Sequence, residues 1–256
     1  MCLIFISLND HPDYTLIVAA NRDEFYERKT QPAQFWNDHT NILGGRDLEA
    51  SGTWMAMAKN GKISMVTNYR DLQNIKKQAP SRGQLVSDYL LNGDQPVGYL
   101  RGVENKGKNY NGFNLVVGTP KELYYYSNYR KGIEKIPDGL HGLSNHLLNT
   151  SWPKVEWGKE KVKQRLTAKI IDPEALFEAL YDDTQAPDAL LPDTGVGLDR
   201  ERMLSSMFIK SPNYGTRCST VILVNKDGHV HFSERVYDLA TFNHTARSYE
   251  FKISPS

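Results

Sequence analysis

The stretch Cys2-Leu3-Ile4-Phe5-Ile6-Ser7, broken by Asn9-Asp10-His11-Pro12 and resumed as Tyr14-Thr15-Leu16-Ile17-Val18-Ala19-Ala20, decides the class of fold. Both apolar runs are short, contain branched side chains and are bounded by polar or turn-forming residues. That pattern belongs to buried strands. The second run ends directly on Asn21-Arg22-Asp23-Glu24, which places polar groups at the predicted end of an uncharged strand. No basic residues precede the first run and it is too short for a secretion signal, so the expected compartment is cytoplasmic.

Working outward, residues 52–58 and 63–68 flank Asn60-Gly61, the strongest short-range hairpin signal. Residues 42–47 read as a short strand entering a glycine turn, and Phe35-Trp36 after Pro32 as a polar loop. Further strands are predicted over 113–118, 122–127, 219–224 and 230–237, with an edge strand over 249–253. Helical spacing covers 82–90, with Ser81 as N-cap, then 95–104, 154–168 and 198–208. A helix over 173–180 has Asp172 as cap and Pro173 at its first position. The acidic stretch 181–197, with Pro187 and Pro192, reads as a surface loop or lid. Hairpins so close in sequence exclude a doubly wound parallel sheet and indicate an α+β fold with antiparallel sheets. No linker or repeat divides residues 1–256, so a single domain is expected.

Composition removes several function classes. Thirty-one Lys and Arg against 30 Asp and Glu leave a formal charge of +1, which gives no global attraction to nucleic acid. No apolar run approaches the length of a membrane span. The cysteines, Cys2 and Cys218, are too few for a disulfide scaffold. The seven histidines are scattered, with no Cys-x-x-Cys or His-Glu-x-x-His spacing, so neither a metal site nor a resident cofactor is expected.

Candidate site residues are few. Cys2 has two readings: a buried apolar cysteine at a strand edge, or, once Met1 is removed, a thiol and a free α-amine on one residue. Those groups titrate near about 8.5 and about 8 and together make a nucleophile and its base. Of Arg22 and Asp23, alternation sends one inward; Asp23 opposite the Cys2 amine would orient it. Asn21 and Arg22 are supporting candidates, and Arg46 in Gly44-Gly45-Arg46-Asp47 is either a structural turn residue or ligand-facing. Asn68 and Asn145 are neutral donors near strand ends that could hold an oxyanion. Arg217, just before Cys218, could stabilise a thiolate.

Assembled, Met1-Cys2, Asn21-Arg22-Asp23-Glu24, Gly44-Gly45-Arg46-Asp47, Gly52-Thr53-Trp54, Thr67-Asn68-Tyr69-Arg70, Ser81-Arg82-Gly83, Leu143-Ser144-Asn145 and Tyr214-Gly215-Thr216-Arg217 resemble the NRDE-motif family, also called the Transport and Golgi organisation family. The resemblance spans nearly the whole chain. It implies the N-terminal nucleophile hydrolase fold, a four-layer αββα sandwich with two antiparallel sheets between helical layers. Within that fold the chain is similar to choloylglycine and penicillin V acylases. Their N-terminal cysteine, following Asp, two oxyanion Asn and late Arg fall on Cys2, Asp23, Asn68, Asn145 and Arg217. Those acylases also carry an Arg three residues before the Asp, where this chain has Ala20 and places Arg22 adjacent instead.

The resulting expectation is an N-terminal-cysteine amidohydrolase or acyltransferase acting on a small amide or thioester. Two alternatives stand beside it. One is a non-enzymatic carrier of haem or another apolar ligand, with His141, His146 or Cys2 as axial group. The other is a protein-interaction module, which would present an exposed apolar patch in place of a polar-lined pocket.

Overall fold

The computed structural model describes residues 2–254. Thirteen strands and five α-helices follow in the order β1 (Cys2–Leu8), β2 (Tyr14–Phe25), β3 (Thr30–Phe35), β4 (Ile42–Asp47), β5 (Met55–Ala58), β6 (Ile63–Asn68), α1 (Arg82–Leu91), α2 (Pro96–Lys106), β7 (Phe113–Thr119), β8 (Glu122–Ser127), β9 (Glu134–Lys135), β10 (Gly139–Leu143), α3 (Pro153–Arg165), α4 (Pro173–Leu180), α5 (Leu198–Leu204), β11 (Tyr214–Asn225), β12 (His229–Tyr237) and β13 (His244–Lys252). They form a six-stranded sheet, β10-β1-β2-β11-β12-β13, and a seven-stranded sheet, β3-β4-β5-β6-β7-β8-β9. The strand pairs are antiparallel throughout.

Strand alternation builds the layers. Cys2, Ile4, Ile6 and Leu8 of β1 pack with Leu16, Val18 and Ala20 of β2 and with Met55, Met57 and Met65 of the opposite sheet. Leu3 and Phe5 point the other way, onto Val155 and Val162 of α3 and Leu176 and Phe177 of α4. The outer face of the second sheet receives Leu85, Val86 and Tyr89 of α1 and Leu100 and Val103 of α2. The order is therefore helices, sheet, sheet, helices, as the resemblance implied.

Several elements differ from the sequence reading, three of them near the site or at a sheet edge. Asn21-Arg22-Asp23-Glu24 does not follow a strand; it lies within β2. Both Arg22 and Asp23 are buried, at 6% and 1% exposure, because each finds a partner on its own face of the sheet. A strand, β3, occupies the predicted polar loop around Pro32; its pairing with β4 shifts register between Gln31 and Gln34, which accommodates a proline at a sheet edge. The last predicted helix stops at Leu204 rather than Phe208. Helix α4 agrees with expectation, Asp172 accepting a hydrogen bond from the Glu174 amide at 3.0 Å.

One carboxylate is held in the core between the sheets. Glu234 is 1% exposed and accepts a hydrogen bond from the Ala33 amide at 2.6 Å. Burial raises its pKa from 4.5 to about 7. Between those pH values the unfolded chain has released this proton while the folded chain keeps it, so stability falls as pH rises through the window and levels off above it. Glu234→Gln keeps the amide-accepting oxygen and is expected to stabilise the fold by about 3 kcal/mol at pH 8 but scarcely at pH 4. Paired urea melts at the two pH values check this.

Candidate active site

Register fixes the site. Cys2 pairs with Arg22 across β1 and β2, so Asp23 stands one step beyond Cys2, on the side of its backbone amide. The two side chains leave opposite faces of the strand. Arg22 lies between the sheets, its guanidinium 4.4 Å from the centroid of the Trp54 ring and 3.8 Å from the Glu24 carboxylate. Trp54 can lie there because residue 45 is glycine: a Cβ on Gly45 would come within 2.1 Å of the indole. Asp23 faces the helical layer and accepts a hydrogen bond from the Thr216 hydroxyl at 2.7 Å.

A cavity of about 790 Å³ opens at this end of the sandwich. Cys2, Arg22, Asp23 and Asn68 line it together with Arg70, Arg82, Trp54 and Tyr214. Apolar side chains of residues 72–80 and of Val196, Met203 and Leu204 extend its wall. The loop expected as a lid thus contributes Val196, while Thr194 donates its amide and hydroxyl to Glu201 at 2.8 and 2.5 Å.

The other sequence candidates are distributed differently. Asn145 is fully buried and donates its side-chain amide to the Asn68 backbone carbonyl at 3.0 Å, while its own carbonyl accepts from the Arg70 amide at 2.7 Å. It stitches the end of β6 to the segment after β10 and stands behind the cavity wall. Asn68 is among the residues that line the cavity. Arg217 donates to the carbonyls of Phe25 and Arg28, each at 2.9 Å, and so clamps the turn after β2. Asn21 donates to the Leu180 and Met207 carbonyls at 3.0 and 2.9 Å, on the helical side. Arg46 pairs with Asp38 at 2.6 Å and lies over Trp36, away from the cavity. Met1, whose removal the nucleophile reading needs, lies outside the described residues.

Several residues of the site escaped the sequence reading. Arg70 and Glu201 form an ion pair at 2.7 Å with side chains 2% and 4% exposed. Tyr214, opposite Phe25 in the β2–β11 pairing, carries a buried hydroxyl with no hydrogen-bond partner among the described residues. Burial, reinforced by the negative charge of Asp23, holds that hydroxyl protonated. Lys154, at the start of α3, is 2% exposed. Asp23 is pushed up by burial and pulled back chiefly by Lys154. Burial likewise raises the Cys2 thiol, with Arg22 among the charges acting against it. Cys218 lies deeper, beside Glu234, and is raised well above the ordinary thiol range, first by burial and then by that carboxylate.

A sequence profile described as Transport and Golgi organisation 2 matches residues 1–239. The human Transport and Golgi organization protein 2 homolog is 37% identical over 281 residues, covering 99% of either chain. The chain belongs to the Transport and Golgi organisation 2 family. The Drosophila melanogaster member is 30% identical over 262 residues, with 91% of each chain covered. Among solved structures, a Caenorhabditis elegans ortholog of N-acylethanolamine-hydrolyzing acid amidase superposes with a TM-score of 0.52 at 12% identity, covering 87% of this chain and 92% of that one. This family member thus has an N-terminal nucleophile hydrolase-like fold, with Cys2 among the residues lining its cavity.

Of the axial groups a haem carrier would use, Cys2 lines the cavity and the two histidines are placed elsewhere. His141 directs one ring nitrogen to the Pro137 carbonyl at 2.8 Å and the other to the Asn149 amide at 3.0 Å. His146 is hydrogen-bonded to Thr150 at 2.8 Å, and neither ring lines the cavity. Among the described residues no cluster of His, Cys, Asp and Glu could hold a metal ion, and no helix is long and apolar enough to cross a membrane.

Proposed function

We propose that this protein cleaves or transfers the acyl group of a small amide or thioester, with Cys2 as N-terminal nucleophile after loss of Met1. The observation that carries the reading is the register of Cys2 against Arg22, which sets the thiol at the cavity and Asp23 beside the backbone nitrogen that would become the free amine. That amine takes the thiol proton, directly or through one water, and the thiolate attacks the carbonyl carbon. Asp23, braced by Thr216, orients the amine. Asn68, which lines the cavity, is assigned as the donor to the tetrahedral oxyanion, and a single good donor of this kind is worth about 3 kcal/mol. The amine returns its proton to the leaving amine or thiol. Water, or a second acceptor in a transferase, then releases the acyl group from sulfur.

The polar edge around Cys2 and the apolar wall of residues 72–80 and 196–204 suit a substrate with a polar end at the reacting carbonyl and an apolar body. Intact mass of the purified protein is expected to show a chain lacking Met1. Peptide mapping after a brief iodoacetamide pulse is expected to find Cys2 modified well before Cys218. A retained methionine, or equal labelling of both thiols, would overturn the proposal.

A further inference from the structure

Five arginines line the cavity: Arg22, Arg28, Arg70, Arg82 and Arg200. Two of them are matched by carboxylates, Arg28 by Asp47 at 2.6 Å and Arg70 by Glu201 at 2.7 Å. Arg200 is exposed to water. Arg22 and Arg82 are left short of negative charge. Arg22 is buried, and its ion-pair partner is Glu24 at 3.8 Å, a carboxylate that also stands 4.0 Å from Arg28. Both separations exceed a hydrogen bond, and the Arg22 Nη1 has no hydrogen-bond partner among the described residues. Arg82, half-buried, donates its Nη1 to the Gly112 carbonyl at 3.0 Å and forms no ion pair among the described residues.

Backbone contacts bring these two arginines to one side of the cavity. Arg82 is the first residue of α1; its first turn contains no acidic residue, and the Ser81 N-cap gives no side-chain hydrogen bond to the helix. That turn lies against Gly52-Thr53. The Thr53 amide donates to the Gly83 carbonyl at 3.2 Å, and a Cβ on Gly52 would come within 2.4 Å of the Gly83 backbone. The next residue, Trp54, carries Arg22 over its ring at 4.4 Å. Ser81, Arg82 and Gly83 line the cavity with Arg22 and Trp54. A helix start presents amide N–H groups and the positive end of the dipole, both of which favour an anion. A cation as first residue runs against that field unless an anion is shared between them.

Resting on the N-terminal nucleophile reading, we infer that Arg82 and the first turn of α1, with Arg22 on the neighbouring Trp54, form a subsite for a negatively charged group at the polar end of the substrate. The group is a carboxylate or a phosphate, the two anions that the planar fork of a guanidinium matches. Arg82, the less buried of the two, makes the contact, and Arg22 adds the second positive charge. The substrate is then an acyl amide or thioester with an acidic group near the reacting carbonyl and an apolar body along residues 72–80 and 196–204. The subsite also accounts for Arg22 staying inside a strand with an unanswered nitrogen: a buried guanidinium short of partners costs stability, and the incoming anion supplies what the fold leaves out.

Calorimetric binding to the full chain carrying Cys2→Ala, which cannot consume an acyl substrate, tests the subsite with two matched pairs of probes. One pair is N-octanoyl-β-alanine and its neutral amide; the other is N-octanoylpropanolamine phosphate and neutral N-octanoylpropanolamine. The charged member of at least one pair is expected to bind about tenfold more tightly than its neutral twin, and the pair with the larger ratio tells carboxylate from phosphate. Raising the salt from about 50 mM to about 0.5 M is expected to cut that ratio about threefold. With Arg82→Gln added, the ratio is expected to fall to within about twofold of unity; Arg82→Lys, which keeps the charge and loses the fork, is expected to fall between the two. Should Arg82→Gln not fold, the lysine variant and the salt dependence decide. Twins that bind equally, a preference that survives Arg82→Gln, or a cavity that takes up none of the four probes would overturn the subsite. The nucleophile is judged separately on the parent: a retained Met1, or a Cys2 that alkylates no faster than Cys218, removes it while the binding ratios still decide the subsite.

Discussion

Cys2→Ala is expected to lower amide or thioester turnover by about 10⁴-fold or more, while the fold and its melting temperature stay close to the parent's. The size of the effect follows from the chemistry: removing a covalent nucleophile leaves only positioning and oxyanion stabilisation. The modest structural cost follows from the site. Cys2 lines the cavity as well as packing on the core, so its loss mainly enlarges an existing space. Initial rates on a panel of short- and medium-chain acyl amides and thioesters give the first readout. Intact mass gives the second, since the parent gains the mass of one acyl group early in the time course and the alanine variant does not. An alanine variant that turns over any of these substrates within tenfold of the parent would remove Cys2 from the mechanism.

Arg70→Ala is expected to destabilise the protein by about 3–5 kcal/mol, the cost of stranding a buried carboxylate. Its guanidinium, besides pairing with Glu201, lies 4.7 Å from the centroid of the Trp152 ring. Glu201 in turn holds Thr194. The pair therefore ties the segment after β6 to α5 and to the loop before it, all of which contribute lining residues to the cavity. Glu201→Ala is expected to cost a similar amount. The double substitution Arg70→Met/Glu201→Leu is expected to recover most of the loss, because two apolar side chains leave no orphaned charge. Urea denaturation of the variants checks the cycle. Single variants within 1 kcal/mol of the parent would mean that water reaches the pair and screens it.

Much of the sandwich was legible because its signals are local. The apolar runs of β1 and β2, the Asn60-Gly61 hairpin and the Asp172-Pro173 start of α4 each depend on residues close in sequence. What escaped local reading were features whose reason lies across the fold. Arg22 and Asp23 break the apolar pattern of a strand, and only Trp54 and Thr216, both distant in sequence, explain why they stay inside it. Pro32 argued against a strand that survives by shifting its pairing at a sheet edge.

The site divides in the same way. Cys2, Arg22, Asp23 and Asn68 do meet at one cavity, whereas Arg217 and Asn145 serve backbone carbonyls nearby. Arg70 and Tyr214 lay within sequence motifs whose other members drew attention first. Lys154 had a readable signal, a cation in the first turn of a helix, although its burial is visible only once α3 is packed on β1 and β10.

Strand β1 has neighbours along both sides, β10 and β2. Its alternation therefore works as a parity rule on chain length. One extra residue inserted between Cys2 and Leu3 would aim the sulfur at the hydrocarbon beneath α3 and α4; two would restore its direction but carry it about 7 Å further out. Odd and even extensions of the same composition should thus differ in chemistry, and a library of short insertions would sort into live and dead members by counting alone.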